Sequence, residues 1–368
     1  MENTINPQKK QRNSNIELLR IFSMICVIIH HFSLYGGYNN INNLTVTSYA
    51  GKIMFTVGKL GVDIFVLISG YFLINAKFSF KKIIKFWIQI LFYSVGIMLI
   101  VSINNLDNIK LSEIYKCFFP ISYSRYWFAS TYLYMYVLFP FINKFAHSIN
   151  KNKYKFLLII LTIMFSGIYS VLYCSNSYQT GVGIFEAISW FIYLYLLAGY
   201  IKIYGIKFFE NKIRTNIITM VLVILFIIFV MLLHTLDVKY NILGNLLSYY
   251  ITINSIFILI LAVSIMYCFI NMKPRYYKIV NLLGSSSFAV YLLHEHKMLR
   301  MTLWNYVNDI MMNHNINIIV MTLICIVFLY VIATIIEFIR IRVFENNLFK
   351  IKKVESICNK INVKFNIE

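Results

Sequence analysis

The chain of 368 residues is 60% hydrophobic and carries 34 Lys and Arg against 14 Asp and Glu, a formal net charge of +20. An average soluble domain is about 45–50% apolar, so this composition, with a mean hydropathy of +0.70, excludes a soluble globular protein. Apolar runs long enough to cross about 30 Å of hydrocarbon recur from end to end, which implies a polytopic membrane protein.

In chain order, Lys9, Lys10 and Arg12 precede the first apolar run and place the N-terminus in the cytoplasm. That run carries Glu17 and Arg20, lacks a small-x-small cleavage site and is followed by many similar runs, so it is not a cleavable signal. Ten spans are predicted near residues 17–35, 53–74, 86–103, 126–142, 156–173, 184–200, 216–234, 248–270, 280–298 and 316–338. The fold class expected is all-α, a polytopic membrane helix bundle of about ten transmembrane helices with both termini cytoplasmic. Residues 1–15 then form a cytoplasmic tail, 16–342 the transmembrane domain and 343–368 a basic cytoplasmic tail.

On that topology the outer side keeps only Lys52, Lys59, Lys110, Lys116, Arg125, Lys239, Lys297 and Arg300 of the 34 basic residues. The positive-inside rule thus accounts for most of the charge and no nucleic-acid partner is expected; the lipid bilayer is. The fourth and ninth spans are the least hydrophobic, which points them at a bundle interior or wet cavity. No internal repeat is visible, which weakens an inverted-repeat transporter. The six cysteines show neither paired spacing nor a metal pattern; Cys117 and Cys174, both in outer segments, are the one candidate disulfide. The surplus of Ile, Asn, Lys and Tyr resembles the usage of an AT-rich bacterial genome.

Arg20 and His31 lie eleven residues apart on the first span, about three turns plus 20°, so they share a face with about 16 Å between them. Ionisable residues inside a membrane are expensive and are functional candidates. Counting rise from the predicted span starts puts His31, Asp63, Tyr291 and His294, on three helices, within about one helical turn of the same level. A carboxylate near a His holds its tautomer and raises its basicity. Bland readings stand beside these: His31 as a satisfied helix–helix partner, Arg20 snorkelling to headgroups, His30 structural. Two His and one Asp can also ligate zinc, but spacing across three helices carries little information, and no metal is expected.

Four motifs occur in order: Arg20, ten residues, then His31-Phe32; GVDIFVLISGYFL, with Gly61, Val62, Asp63, Phe65, Ser69, Gly70 and Tyr71; an aromatic run from Trp127 to Pro140; and Ser287, Tyr291 and His294 spaced Ser-x-x-x-Tyr-x-x-His. Together they resemble the integral-membrane acyltransferase-3 family over about Asn13 to Arg342. The resemblance implies a membrane O-acyltransferase that moves an acyl group, usually acetyl from cytoplasmic acetyl-CoA, onto a hydroxyl of a capsule, exopolysaccharide or other envelope polysaccharide or lipid-linked sugar. It implies the bacterial cytoplasmic membrane as the location. No SGNH esterase-like domain is expected in this chain. Family members often carry Arg in the loop after the second span, where this chain has Lys81, Lys82 and Lys85, and lysine offers no bidentate fork to phosphate.

The expected site follows from both readings. Arg20, Lys81, Lys82 and Lys85 hold the phosphates of acetyl-CoA, and His31 is the general base. Asp63 orients His31, and Tyr291 or His294 positions the sugar or stabilises the oxyanion. A transporter or flippase of a lipid-linked glycan, a succinyl transferase acting on exopolysaccharide and a silent scaffold for a synthase remain as alternatives.

Overall fold

Asn13 starts the first helix: its side chain accepts the Asn15 N–H at 3.0 Å, and α1 runs Ser14–Tyr35 with Glu17 in its first turn, where the helix dipole favours an acid. Thr45 caps α2, Val46–Leu73, through the Ser48 N–H at 3.3 Å. The computed structural model describes residues 12–103, 110–171, 184–241 and 251–365. Cys174, Lys9 and Lys10, with parts of the fifth and eighth expected spans, lie outside them.

The chain continues as α3 (Phe80–Ser102), the short α4 (Leu111–Phe118), α5 (Trp127–Ser148) and α6 (Lys151–Thr162). Then come α7 (Ile184–Tyr204), α8 (Lys212–Tyr240), α9 (Ile256–Ile270), α10 (Lys278–His294) and α11 (Arg300–Asn313). Last are α12 (Ile318–Arg340) and α13 (Lys352–Phe365). The fold is an all-α polytopic bundle. Among the described residues six helices are long and apolar enough to cross a membrane, and Ile256–Ile270 is a shorter apolar helix.

Burial orders these helices. α2 buries 67% of its apolar stretch and α8 only 22%, so α2 is the central rod and α8 offers Ile217, Val221, Ile224 and Ile228 outward, where lipid would lie. α1 packs antiparallel on α2. The approach is close because Gly58 faces His30 and Gly61 faces Ser23, Cys26 and Val27, where a Cβ would overlap its neighbours. Ser23 Oγ donates to the Gly61 carbonyl at 2.5 Å across that seam. α10 lies parallel to α1. Ser14 Oγ donates to Asn281 Oδ1 at 2.9 Å near one end, Glu17 fills the space a side chain at Gly284 would need, and His31 meets His294 near the other.

Three elements had no counterpart among the expected spans. α11 folds back over the end of α1, and its Trp304 is 1% exposed, edge-on to Phe32 and to His294. α4 packs against α3, where Ser94 Oγ donates to the Cys117 carbonyl at 2.9 Å. α13 returns to α3, where Asn362 Oδ1 accepts the Phe80 N–H at 2.7 Å and Phe365 stacks on Phe78 with centroids 4.6 Å apart.

Candidate active site at the α1–α10 seam

Parallel packing of α1 on α10 brings His31 and His294 together, both buried. His294 Nδ1 lies 2.6 Å from the Val290 carbonyl oxygen, and His294 Nε2 lies 2.9 Å from His31 Nδ1. A carbonyl only accepts, so His294 Nδ1–H donates to it, and the neutral ring is left to accept at Nε2 from His31 Nδ1–H. The relay therefore assigns the free lone pair to His31 Nε2.

Glu295 Oε2 stands 3.5 Å from that nitrogen. α10 ends at His294, and the chain turns there, so Glu295 swings back toward α1 rather than continuing the helix. Its carboxylate is 5% exposed. It accepts the Tyr35 hydroxyl at 2.9 and 3.0 Å and Arg300 Nη1 at 2.8 Å. Arg300 also donates to the Tyr35 oxygen at 2.9 Å and lies over that ring. A desolvated carboxylate held by two partners, Tyr35 and Arg300, would favour a proton on His31 Nε2. Glu295 is not among the residues the sequence motifs single out; its signal in the sequence is its place next to His294, once the helix end is known.

Tyr291 stands edge-on to the His294 ring, centroids 6.4 Å apart, and its buried hydroxyl makes no hydrogen bond of ordinary geometry among the described residues. His296 is committed elsewhere: its Nε2 donates to the Ser94 carbonyl at 3.2 Å while Nδ1 accepts the Met298 N–H at 3.2 Å. His30 bonds the Phe55 carbonyl, a packing role.

Asp63 does not meet His31. Its Oδ1 accepts the Trp190 indole N–H from α7 at 2.9 Å, and it is wholly buried. The contacts of Gly58 with His30 and Gly61 with Cys26 set the register, so Asp63 falls opposite the Ser23–Met24 level, about 10 Å along α1 from His31. The expected shared level failed because Thr45 starts α2 seven residues before the predicted boundary, which carries Asp63 deeper.

Arg20 faces the opposite end of α1. Its Nη1 holds Glu17 at 2.8 and 2.7 Å, and Glu17 also takes Arg12 Nε at 2.7 Å, so Arg20 is pre-oriented by a carboxylate while its side chain stays 22% exposed. Lys85 pairs with Glu345 at 2.6 Å, and Lys81 and Lys85 both lie over Phe349. These two lysines are thus engaged with the segment after α12 rather than with Arg20, and among the described residues Lys82 has no such partner. Among the described residues no group of three or more His, Cys, Asp or Glu is placed to hold a metal ion.

The class the fold and site define is a membrane-spanning helix bundle with a buried His31–His294–Glu295 cluster at one end and a carboxylate-held Arg20 at the other. A family model described as an acyltransferase domain matches residues 13–337. The chain belongs to that family, acyltransferase-3, and is a multi-pass membrane acyltransferase. No curated protein and no solved structure matches it.

Proposed function

We propose that this chain is an O-acetyltransferase of the bacterial cytoplasmic membrane that moves acetyl from cytoplasmic acetyl-CoA onto a hydroxyl of an exported or cell-surface polysaccharide. The observation that carries the reading is the relay from Val290 through His294 to His31, which leaves a free lone pair on His31 Nε2. Arg20 lies eleven residues below on the same helix, within about 16 Å, a span suited to a donor whose phosphates and thioester are far apart.

In this reading Arg20 takes a phosphate of acetyl-CoA, with Lys82 the one lysine of its cluster left for the same task. The pantetheine arm runs along the α1–α10 seam. His31 Nε2 removes the proton of the sugar hydroxyl as its oxygen bonds to the thioester carbonyl carbon, and Glu295 stabilises the imidazolium. The Tyr291 hydroxyl, which has no hydrogen-bond acceptor of ordinary geometry among the described residues, donates to the oxyanion. Collapse breaks the C–S bond, and the departing thiolate recovers the proton from His31. Residues 16–342 form the catalytic unit.

His31→Ala, expressed and inserted at the native level, is expected to leave the cell's surface glycans without the ester, which mass spectrometry reads directly. Undiminished acylation in that variant overturns the assignment.

A further inference from the structure

A second cluster of charge lies at the His31 end of the bundle. Arg125, in the loop between α4 and α5, is 3% exposed, and its Nη1 donates to Glu113 Oε2 at 2.6 Å. Glu113 Oε1 takes Lys116 Nζ at 2.8 Å. The Arg125 Nε and Nη2 groups are buried and have no hydrogen-bond partner among the described residues. Lys297, exposed and three residues past His294, lies within electrostatic reach of Arg125, Arg300, Lys116 and Glu113.

Arg300 is already paired with Glu295, so Arg125, Lys116 and Lys297 share one carboxylate. Buried donors left unpaired give up their hydration and receive nothing for it, which native interiors avoid. A guanidinium with two such donors and surplus positive charge beside it suits an oxyanion, to which its planar fork donates twice. The cluster is tied to the candidate active site through the next residue: Tyr126 donates to the Leu292 carbonyl at 3.1 Å, and its ring meets Tyr291 and His296.

We propose that Arg125, with Lys116 and Lys297 at its rim, binds an oxyanion carried by the acceptor, so that the sugar acylated at His31 is an acidic one. The proposal rests on the acyltransferase reading of the His31 site and adds the acceptor's chemical class. A uronic-acid carboxylate and a sugar phosphate present the same chemistry to this site, and the test separates them.

The full chain in detergent, without acyl donor, is equilibrated with trigalacturonate, maltose 1-phosphate and neutral maltotriose. One anionic probe is expected to bind at least roughly tenfold tighter than maltotriose, as charge-assisted hydrogen bonds provide, and which one does so names carboxylate or phosphate. The preference should fall about two- to threefold in Lys297→Gln, a surface change that leaves the fold intact, and vanish in Arg125→Gln. Neither anion outbinding maltotriose, or a preference unchanged in Lys297→Gln, overturns the proposal. Because no donor is present, such a failure leaves the acyltransferase reading standing; that reading falls only on the His31→Ala result.

Discussion

In the proposed reaction, proton position at His31 depends on the groups around its ring. The Val290 carbonyl fixes the His294 tautomer, His294 fixes that of His31, and Glu295 waits 3.5 Å from the nitrogen left free. Glu295→Gln keeps the Tyr35 and Arg300 contacts but removes the charge that would stabilise imidazolium. Turnover should fall on the order of 10²–10⁴-fold with the KM for acetyl-CoA unchanged; a rise in KM alone would move Glu295 out of the proton path. Asp63 behaves differently. Its partner is Trp190, so Asp63→Ala leaves a buried indole N–H unsatisfied, at about 1–3 kcal/mol. Thermal unfolding should shift down while turnover of the folded fraction persists, and Asp63→Asn should restore the melting temperature. Lost turnover at unchanged melting temperature in Asp63→Asn would return Asp63 to the catalytic group.

Elements rather than residues explain what could be read in the sequence. Long apolar rods were legible because hydrophobic length is a strong signal: α1 was expected at 17–35 and runs Ser14–Tyr35. The pairing of His31 with His294 followed from that legibility. α2 shows the limit. Its first turns contain Thr45, Ser48 and Lys52, polar enough to read as loop, yet Ser48 is buried against His234 at 2.6 Å. That early start moved Asp63 along the bundle to Trp190, and the carboxylate that faces His31 is Glu295. α4, α11 and α13 are too short to carry a span signal, and two of them cover the site end. α4 is held by Glu113, whose carboxyl is drawn down to about 2 from 4.5, chiefly by its hydrogen bonds from Lys116 and Arg125. His296, Cys117 and Lys297 also face it electrostatically. A depressed carboxyl adds stability that is complete above its unfolded value and is lost as pH falls through the folded one. The amide protection factor of Leu111–Phe118, with the intrinsic pH dependence of exchange divided out, should therefore be constant above about pH 5 and fall between 4.5 and about 2. Protection that is flat across that window would show that the Glu113 pairs do not hold α4.

Taken as a whole, the molecule has two ends of different character, and the mechanism requires a bilayer between them. One carries His31, Glu295, Arg125 and Lys297; the other carries Arg20, Lys85, Glu345 and α13. Between Lys297 and α13 the chain contains α11, 14 residues that include Arg300, Asn305, Asn308 and Asp309, too short and too polar to cross. It also contains α12, whose apolar stretch Ile318–Leu348 is the one candidate span between them among the described residues. A single crossing separates the two positions, so they face opposite compartments whichever way the bundle is inserted. The concentration of lysine at the α13 end is what the positive-inside rule expects of a cytoplasmic end, and that is the orientation we propose. With Lys297→Cys and Lys360→Cys made separately, a membrane-impermeant maleimide on intact cells should modify the first and reach the second only after permeabilisation, with the unsubstituted chain as background. Both positions are exposed. Labelling of the two from the same side would remove the crossing by α12 and, with it, the cytoplasmic donor and outward acceptor on which acyl transfer across this bundle depends.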